Sequence, residues 1–416
     1  MNGLPAAITG LGVVSPIGIG IDQFRTAIGT GVHGLGEITK FDAGGLPTQL
    51  AGEARGFDLA QHLTSMKTYV DRASAFALAA AAMALKASGW LNESNSAGNH
   101  FIGIAGDDAG LCLGSAWGCQ DSIALYTEKL TSGDPKFAPP LVFTHGYANA
   151  PTSLVSIEFG LRGHNTCFAG GWTAGSAALA SAIDLIRRRP GQRLIAGGMD
   201  ALSEVPLRAA HAEGLLSADL CRPFDGAADG LLLGEGAALL ALEALDAART
   251  RNARVHGLLL GCGASGGSAN DPAPAVARAI ELALADAAVK PGRIDAVFAS
   301  ASGVPRIDAA EAAALADVFS AVMPNAGPPV VALKSLMGDP MGAWGPLAVV
   351  AAVCCMEAGV IPATANLRTP LSPALNIPRE PVAAALHTCL VLNTSPSGYA
   401  AALVVADSEN DATRHR

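Results

Sequence analysis

A chain of 416 residues, half of them hydrophobic and only 15% charged, is long enough to bury one large α/β core or two fused halves. Its net charge of −9, with no basic run beyond Arg187–Arg189, argues against nucleic acid as a partner. No run of about eighteen apolar residues is free of Gly, Pro or charge, so no membrane span is expected, and the start MNGLPAAITGLG lacks the basic region of a secretory signal.

In chain order, Ala6 to Ser15 reads as a short apolar strand and Phe24 to Thr30 as a short helix. Gly31 to Arg55 is loop-rich and carries FDAGGLP at Phe41 to Pro47. Tyr69 to Ser88 is an Ala-rich helix, apolar nearly all round and hence buried. Phe101 to Ala105 is expected to be a strand, and Asp107 to Thr152 an irregular stretch opening on two solvated acids, Asp107 and Asp108. Thr166 to Ala169 approaches as a strand, and a helical run follows from Thr173 to Arg188. A strand from Leu194 to Gly197 comes next. The second half repeats this grammar. It offers a strand at Val255 to Gly263, an Ala-rich helix at Pro274 to Ala288 and a strand at Ala296 to Ala301. A small-residue helix at Gly342 to Glu357 and a strand at Leu390 to Asn393 complete it. Two βαβαβ halves, residues 1–250 and 251–416, predict an α/β fold of five layers, α/β/α/β/α, with central helices sandwiched between two sheets.

The stretch around Gly170-Gly171-Trp172 has the design of a nucleophile elbow, a strand turning sharply into a small-residue helix. One side chain then stands at the helix N-terminus, where the dipole favours developing negative charge. Here that side chain is Trp172, and an indole is no nucleophile. Eight cysteines are scattered without a CxxC, so neither a disulfide framework nor a zinc site is expected, and a reducing cytoplasm fits. No cofactor is implied. Extensive surface hidden against a partner is one physical account of the low charge.

Six motifs in order carry a family resemblance: TGLGVVSPIG (from Thr9), FDAGGLP, GLRG (from Gly160), AGGMDA (from Ala196), RPFDGAADGLLLGEGAA (from Arg222) and KSLMGDPMGAWG (from Lys334). The chain resembles β-ketoacyl-acyl carrier protein synthases of the thiolase superfamily from about Ala6 to Val405. Active members carry a Cys-His-His triad. The Cys holds the acyl chain as a thioester, and the two His assist decarboxylation of the malonyl unit and polarise its carbonyl. A Lys supports the second His, and a Gly-rich loop gates the site.

Carried over position by position, the nucleophile falls on Trp172, the first His on Ser300 and the second on Asp339, while Lys334 is retained. The gating loop falls on Asn393 to Tyr399, keeping its first Asn and losing its Gly-rich swing. The resemblance therefore implies a site without condensing chemistry. Trp172 fills the space of the thioester, Ser300 cannot act as an imidazole, and an ionised Asp339 repels both the malonyl carboxylate and the oxyanion. Cys167, in TCFAGG, is the alternative nucleophile, at the cost of a compensated deletion and insertion; a buried strand Cys is the plainer reading. Lys334 with Asp339 reads equally as a relic or a structural ion pair. His145, His164 and His211 read as loop or packing residues, and Glu235 as structural.

Most like this chain among such proteins are chain-length-factor, or ketosynthase β, subunits. These lack the Cys and pair with an active ketosynthase to shape its acyl tunnel on an acyl carrier protein with its phosphopantetheine arm. Their commoner residue at the nucleophile position is Gln. The corresponding tunnel or interface positions here are Ala109, Cys112, Leu113, Ala116, Trp117, Phe143, His145 and Tyr147. Bulky side chains ending an apolar channel would set its length, and packing of a dimer interface accounts for them equally. Two other classes stay open: a stand-alone enzyme reusing the fold through Cys167, Asp339 or Lys334, and a scaffold binding acyl carrier protein.

Overall fold

The structure, a computed structural model, describes residues 4–91, 108–132, 134–320 and 327–409. Ten strands form two sets of five. In the first set, Ala6–Ser15 lies antiparallel to Gly236–Ala244, which lies antiparallel to Arg193–Asp200. Arg193–Asp200 is parallel to Ala109–Ser115, and that to Asn165–Ala169. In the second set, Gly257–Gly266 is antiparallel to Tyr399–Ala406, and that to Thr388–Thr394. The parallel strands Ala296–Phe298 and Val330–Val331 follow. Both sets run third, second, fourth, fifth, first across the sheet, with the same directions. The two first strands pair antiparallel at Ala6↔Leu259 and Ile8↔Gly257, joining the sets along a pseudo-twofold axis.

Layering follows from side-chain size. The helices Ala174–Arg188 and Trp344–Ala358 pack on strands of both sets and on each other, forming the middle layer. Arg72–Ala87 covers the outer face of the first set, and Ala273–Ala287 with Pro305–Ser320 that of the second. Alanine dominates because the layers lie close: a Cβ added at Gly12 would overlap the carbonyl of Ala80. Met341–Ala358 has the length and composition of a membrane span, yet 83% of it is buried between the half-sheets. The helix is apolar all round because both faces meet sheet.

The expected five layers are therefore present, but each half has five strands, not three. The strands Gly236–Ala244, Val330–Val331 and Tyr399–Ala406 were not anticipated, although the first is buried along its whole length. The expected strand Phe101–Ala105 and Asp107 lie outside the described residues. The stretch read as irregular holds the strand Ala109–Ser115 and three helices, Gln120–Thr131, Pro140–His145 and Ala150–Phe159. The first of these buries only Ser122, so no apolar stripe faces its own core and periodicity could not reveal it. All eight cysteines are free thiols.

Candidate functional site

Glycines bring the two central helices together at their N-termini. A Cβ at Gly114 would overlap the backbone of Ala174, and one at Gly175 the carbonyl oxygen of Gly342. At Gly198 it would sit 2.5 Å from that same oxygen. Only hydrogen fits at these crossings, so the turn before Ala174 stands directly beside the turn Asp339–Ala343. Gly171 adopts φ +82°, and its carbonyl accepts the N–H of Ala174 at 3.0 Å, making the sharp entry that delivers Trp172.

Trp172 is partly buried. It packs against an apolar cluster that includes Leu202, Leu207, Leu231, Leu233 and Met341. Its carbonyl accepts from Asn393 Nδ2 at 3.0 Å, and the same nitrogen bonds Ser176 Oγ at 3.0 Å. The elbow is thus tied to the end of the strand Thr388–Thr394.

Ser300, Lys334 and Asp339 converge in the interior. Lys334 Nζ donates to Asp339 Oδ2 at 2.7 Å and to Ser300 Oγ at 3.0 Å, and lies 5.0 Å from the centroid of the Trp344 ring. Asp339 Oδ1 accepts the N–H of Met341 at 2.9 Å. Side-chain exposure is 2% for Lys334 and 1% for Asp339, so the pair is a buried ion pair with every polar contact internal. Burial pushes the Asp339 carboxyl up, and the Lys334 ammonium offsets part of that rise.

Buried carboxylates surround this group. Glu311 Oε1 accepts from Thr394 Oγ1 (2.9 Å) and the N–H of Ser300 (3.1 Å), while Oε2 is buried without a partner. Burial raises Glu311 to about 7. Asp308 caps the N–H groups of Phe224, Ser302 and Gly303 and is raised by burial to about 6. Asp200, raised likewise to about 6, accepts from Ser115 Oγ and from the backbone of Ala116, Trp117 and Gly342. Glu235 is structural: burial pushes it up, but the Arg72 guanidinium, gripping both its oxygens, and Lys40 hold it below the ordinary range. Neither Glu311 nor Asp200 was singled out from the sequence. Asp308 and Glu311 stand three apart on the face of helix Pro305–Ser320 that also buries Ile307 and Leu315, and this spacing was the available sign.

The other predicted positions divide. Ala109, Cys112 and Leu113 are interior strand residues, Cys112 facing the central layer and the other two the outer one. Ala116 and Trp117 pack on the Trp172 cluster. Phe143 and Tyr147 are 45% and 52% exposed and stack edge-to-face at 5.1 Å, with Tyr126 against Phe143 at 5.1 Å. His145 meets Tyr69 edge-on, and desolvation lowers its pKa. The structure therefore does not bring the small residues Ala109, Cys112 and Leu113 together with the exposed aromatics. Cys167 lies on the edge strand, not at a helix N-terminus. Its thiol faces the carbonyl of Ala148 at 3.2 Å, and burial pushes its pKa up, which disfavours the thiolate. His164 bonds Thr166 and His211 is exposed.

A duplicated five-layer α/β/α/β/α fold, with two central helix N-termini meeting at a nucleophile elbow, defines a thiolase-fold protein. More narrowly, the chain belongs to the beta-ketoacyl synthase family: residues 5–248 match the family's N-terminal domain and 252–368 its C-terminal domain. It is 34% identical to the tetracenomycin polyketide synthase ketoacyl synthase beta subunit of Streptomyces glaucescens, over 96% of this chain and 98% of that one. It is 31% identical to the 3-oxoacyl-[acyl-carrier-protein] synthase 2 of Coxiella burnetii, over 87% and 88%. Among solved structures, the ishigamide ketosynthase/chain length factor superposes with a TM-score of 0.88 at 30% identity, covering 97% of this chain and 99% of that one.

Proposed function

We propose that this chain is a non-condensing ketosynthase-like subunit that pairs with an active β-ketoacyl synthase and shapes its acyl tunnel during type II polyketide or related elongation on an acyl carrier protein. The observation that carries the reading is the occupancy of the three reactive positions. Trp172 stands at the elbow, and the Lys334–Asp339 pair with Ser300 uses its polar contacts internally. An indole at the elbow and a Ser and an Asp at the other two positions offer neither a thiol for a thioester nor an imidazole, which supports a non-condensing role. The relatives support it, since one is a beta subunit of a polyketide synthase and one structure a ketosynthase with its chain length factor.

The surface supports the pairing. The strand Asn165–Ala169 closes one end of the sheet order with its outer edge unpaired among the described residues. The helix leading into it exposes Ile157 at 76%, and the segment before that exposes Phe137, Leu141, Phe143 and Tyr147. Phe143 and Tyr147, stacked and outward, are the side chains in position to reach a partner's tunnel.

Co-expression with an intact Cys-His-His ketosynthase, followed by size-exclusion and elongation assays with malonyl-loaded carrier protein, tests this. The expected result is a 1:1 complex in which Trp172→Ala and Cys167→Ala both still elongate and Phe143→Ala shifts product length. Turnover by this chain alone, abolished by Cys167→Ala, sinks the proposal.

A further inference from the structure

Trp117 and Trp172 reach the same apolar cluster from two separate turns; one carboxylate bonds the first of these turns and the turn at Gly342, which abuts the helix that follows the second. Asp200, at the end of the strand Arg193–Asp200, is fully buried. Its Oδ1 accepts from Ser115 Oγ (2.6 Å) and the N–H of Trp117 (3.1 Å), and its Oδ2 from the N–H of Ala116 (2.8 Å) and of Gly342 (2.8 Å). Gly342 in turn abuts Gly175, in the first turn of the helix that begins just after Trp172. Met341, between Asp339 and this contact, is itself in the cluster and held at φ +53°, a conformation a methionine adopts only when its surroundings impose it.

We propose that Asp200 is a positioning residue for a two-indole plug. By fixing the Ala116–Trp117 turn against the Met341–Gly342 turn, it seats Trp117 and Trp172 on the Leu202–Leu207–Leu231 cluster and shuts this chain's own pocket to an apolar chain of the acyl class. The inference rests on the reading that no thioester forms at Trp172. It assigns Trp117 to this chain's own closure and not to a partner's tunnel wall. The residue type follows from the contacts. Two carboxylate oxygens accept four hydrogen bonds here, whereas an amide in the same place would turn N–H groups towards N–H donors.

The test titrates the full chain with cis-parinaric acid, a fluorescent fatty acid. Wild type is expected to show no saturable binding, and Trp117→Ala/Trp172→Ala to bind about one equivalent. Asp200→Asn, with both indoles present, should gain binding and show stronger acrylamide quenching of tryptophan fluorescence. Trp90 and Trp344 are buried, so that quenching reads Trp117 and Trp172. Ser115→Ala, a milder cut in the same clasp, should give a smaller gain and serves if Asp200→Asn does not fold. Asp225 accepts from the backbone N–H of Ala227 on Oδ1 and of Arg368 and Thr369 on Oδ2, and Asp225→Asn replaces one of these two acceptors with an N–H donor. It should lower stability without any gain in binding, which separates positioning from general loosening. Wild type binding within about tenfold of the double variant, no gain in the clasp variants, or equal gains in Asp225→Asn and Asp200→Asn would each overturn the proposal. Elongation by the co-expressed pair is read separately, so failure to pair counts against the proposed function alone.

Discussion

Glu311 is fully buried, with one oxygen bonded to Thr394 and the backbone of Ser300 and the other without a partner. Its folded-state value of about 7 stands above the 4.5 of an ordinary Glu because burial penalises the charged form. A carboxyl raised in this way contributes stability that is fully present below its unfolded value and lost as pH rises through the folded one. Asp200 and Asp308, raised to about 6, act in the same direction over a lower window. Glu235, Glu357 and Asp225 are shifted down, so their contributions are lost only at the acid end. The unfolding free energy conferred by Glu311 should therefore fall by up to about 3 kcal/mol between about pH 5 and pH 8. Urea denaturation of wild type and Glu311→Gln at both pH values isolates it. The variant should gain on wild type as pH rises, and parallel profiles would remove Glu311 from the account. At this scale the sequence was most readable where a motif supplied a frame. The resemblance assigned Trp172 from GLRG and AGGMDA, Ser300 from the segment Ser300 to Asp308, and Lys334 and Asp339 from KSLMGD. Nothing in an alanine-rich helix states that its Glu points inward without a second partner.

Among the helices, a continuous apolar surface facing the core made an element legible, whereas the fully buried strand Gly236–Ala244 went unread. The Ala-rich helices and the first strands of each half declare themselves. Gln120–Thr131 does not, because it turns Ile123 and Leu130 to the outside. What composition conceals most is the role of single glycines. Gly175 and Gly29 both lie within helices, and an isolated helix would gain about 0.5–1 kcal/mol from alanine at either. Their surroundings are opposite. A Cβ at Gly29 meets nothing within 4 Å, whereas at Gly175 it collides with the Gly342 carbonyl and sits 2.8 Å from Pro346 Cδ. Gly29→Ala should raise stability by about 0.5–1 kcal/mol. Gly175→Ala should lower it by about 1–3 kcal/mol, as overpacking does, and loosen the elbow. Thermal unfolding of the two variants decides: equal effects would mean that the crossing of the central helices is softer than its geometry implies.

At the scale of the molecule, the duplicated topology was visible as a repeated order of strands and Ala-rich helices, while the surface was visible only as a shortage of charge. A chain that is half hydrophobic can hide that surface inside or against a neighbour, and composition does not say which. Half of the exposed large apolar side chains among the described residues lie on the arm from Gln120 to Phe159. Ile157 is the sharpest probe, being 76% exposed on the helix Ala150–Phe159, whose other side buries Val155 and Phe159. Placing a charge there costs the isolated chain little, since surface substitutions usually stay within about 0.5 kcal/mol. At the core of an interface it would bury an unpaired carboxylate, a loss of several kcal/mol. Ile157→Glu should therefore leave the thermal midpoint of the isolated chain nearly unchanged while abolishing the 1:1 complex with a co-expressed ketosynthase. Phe137→Glu, further out on the same arm and 83% exposed, should behave likewise if the arm wraps the partner. Retention of the complex by both variants, with unaltered elution and unaltered elongation, would place the partner on another face and leave the arm's apolar side chains without their assigned neighbour.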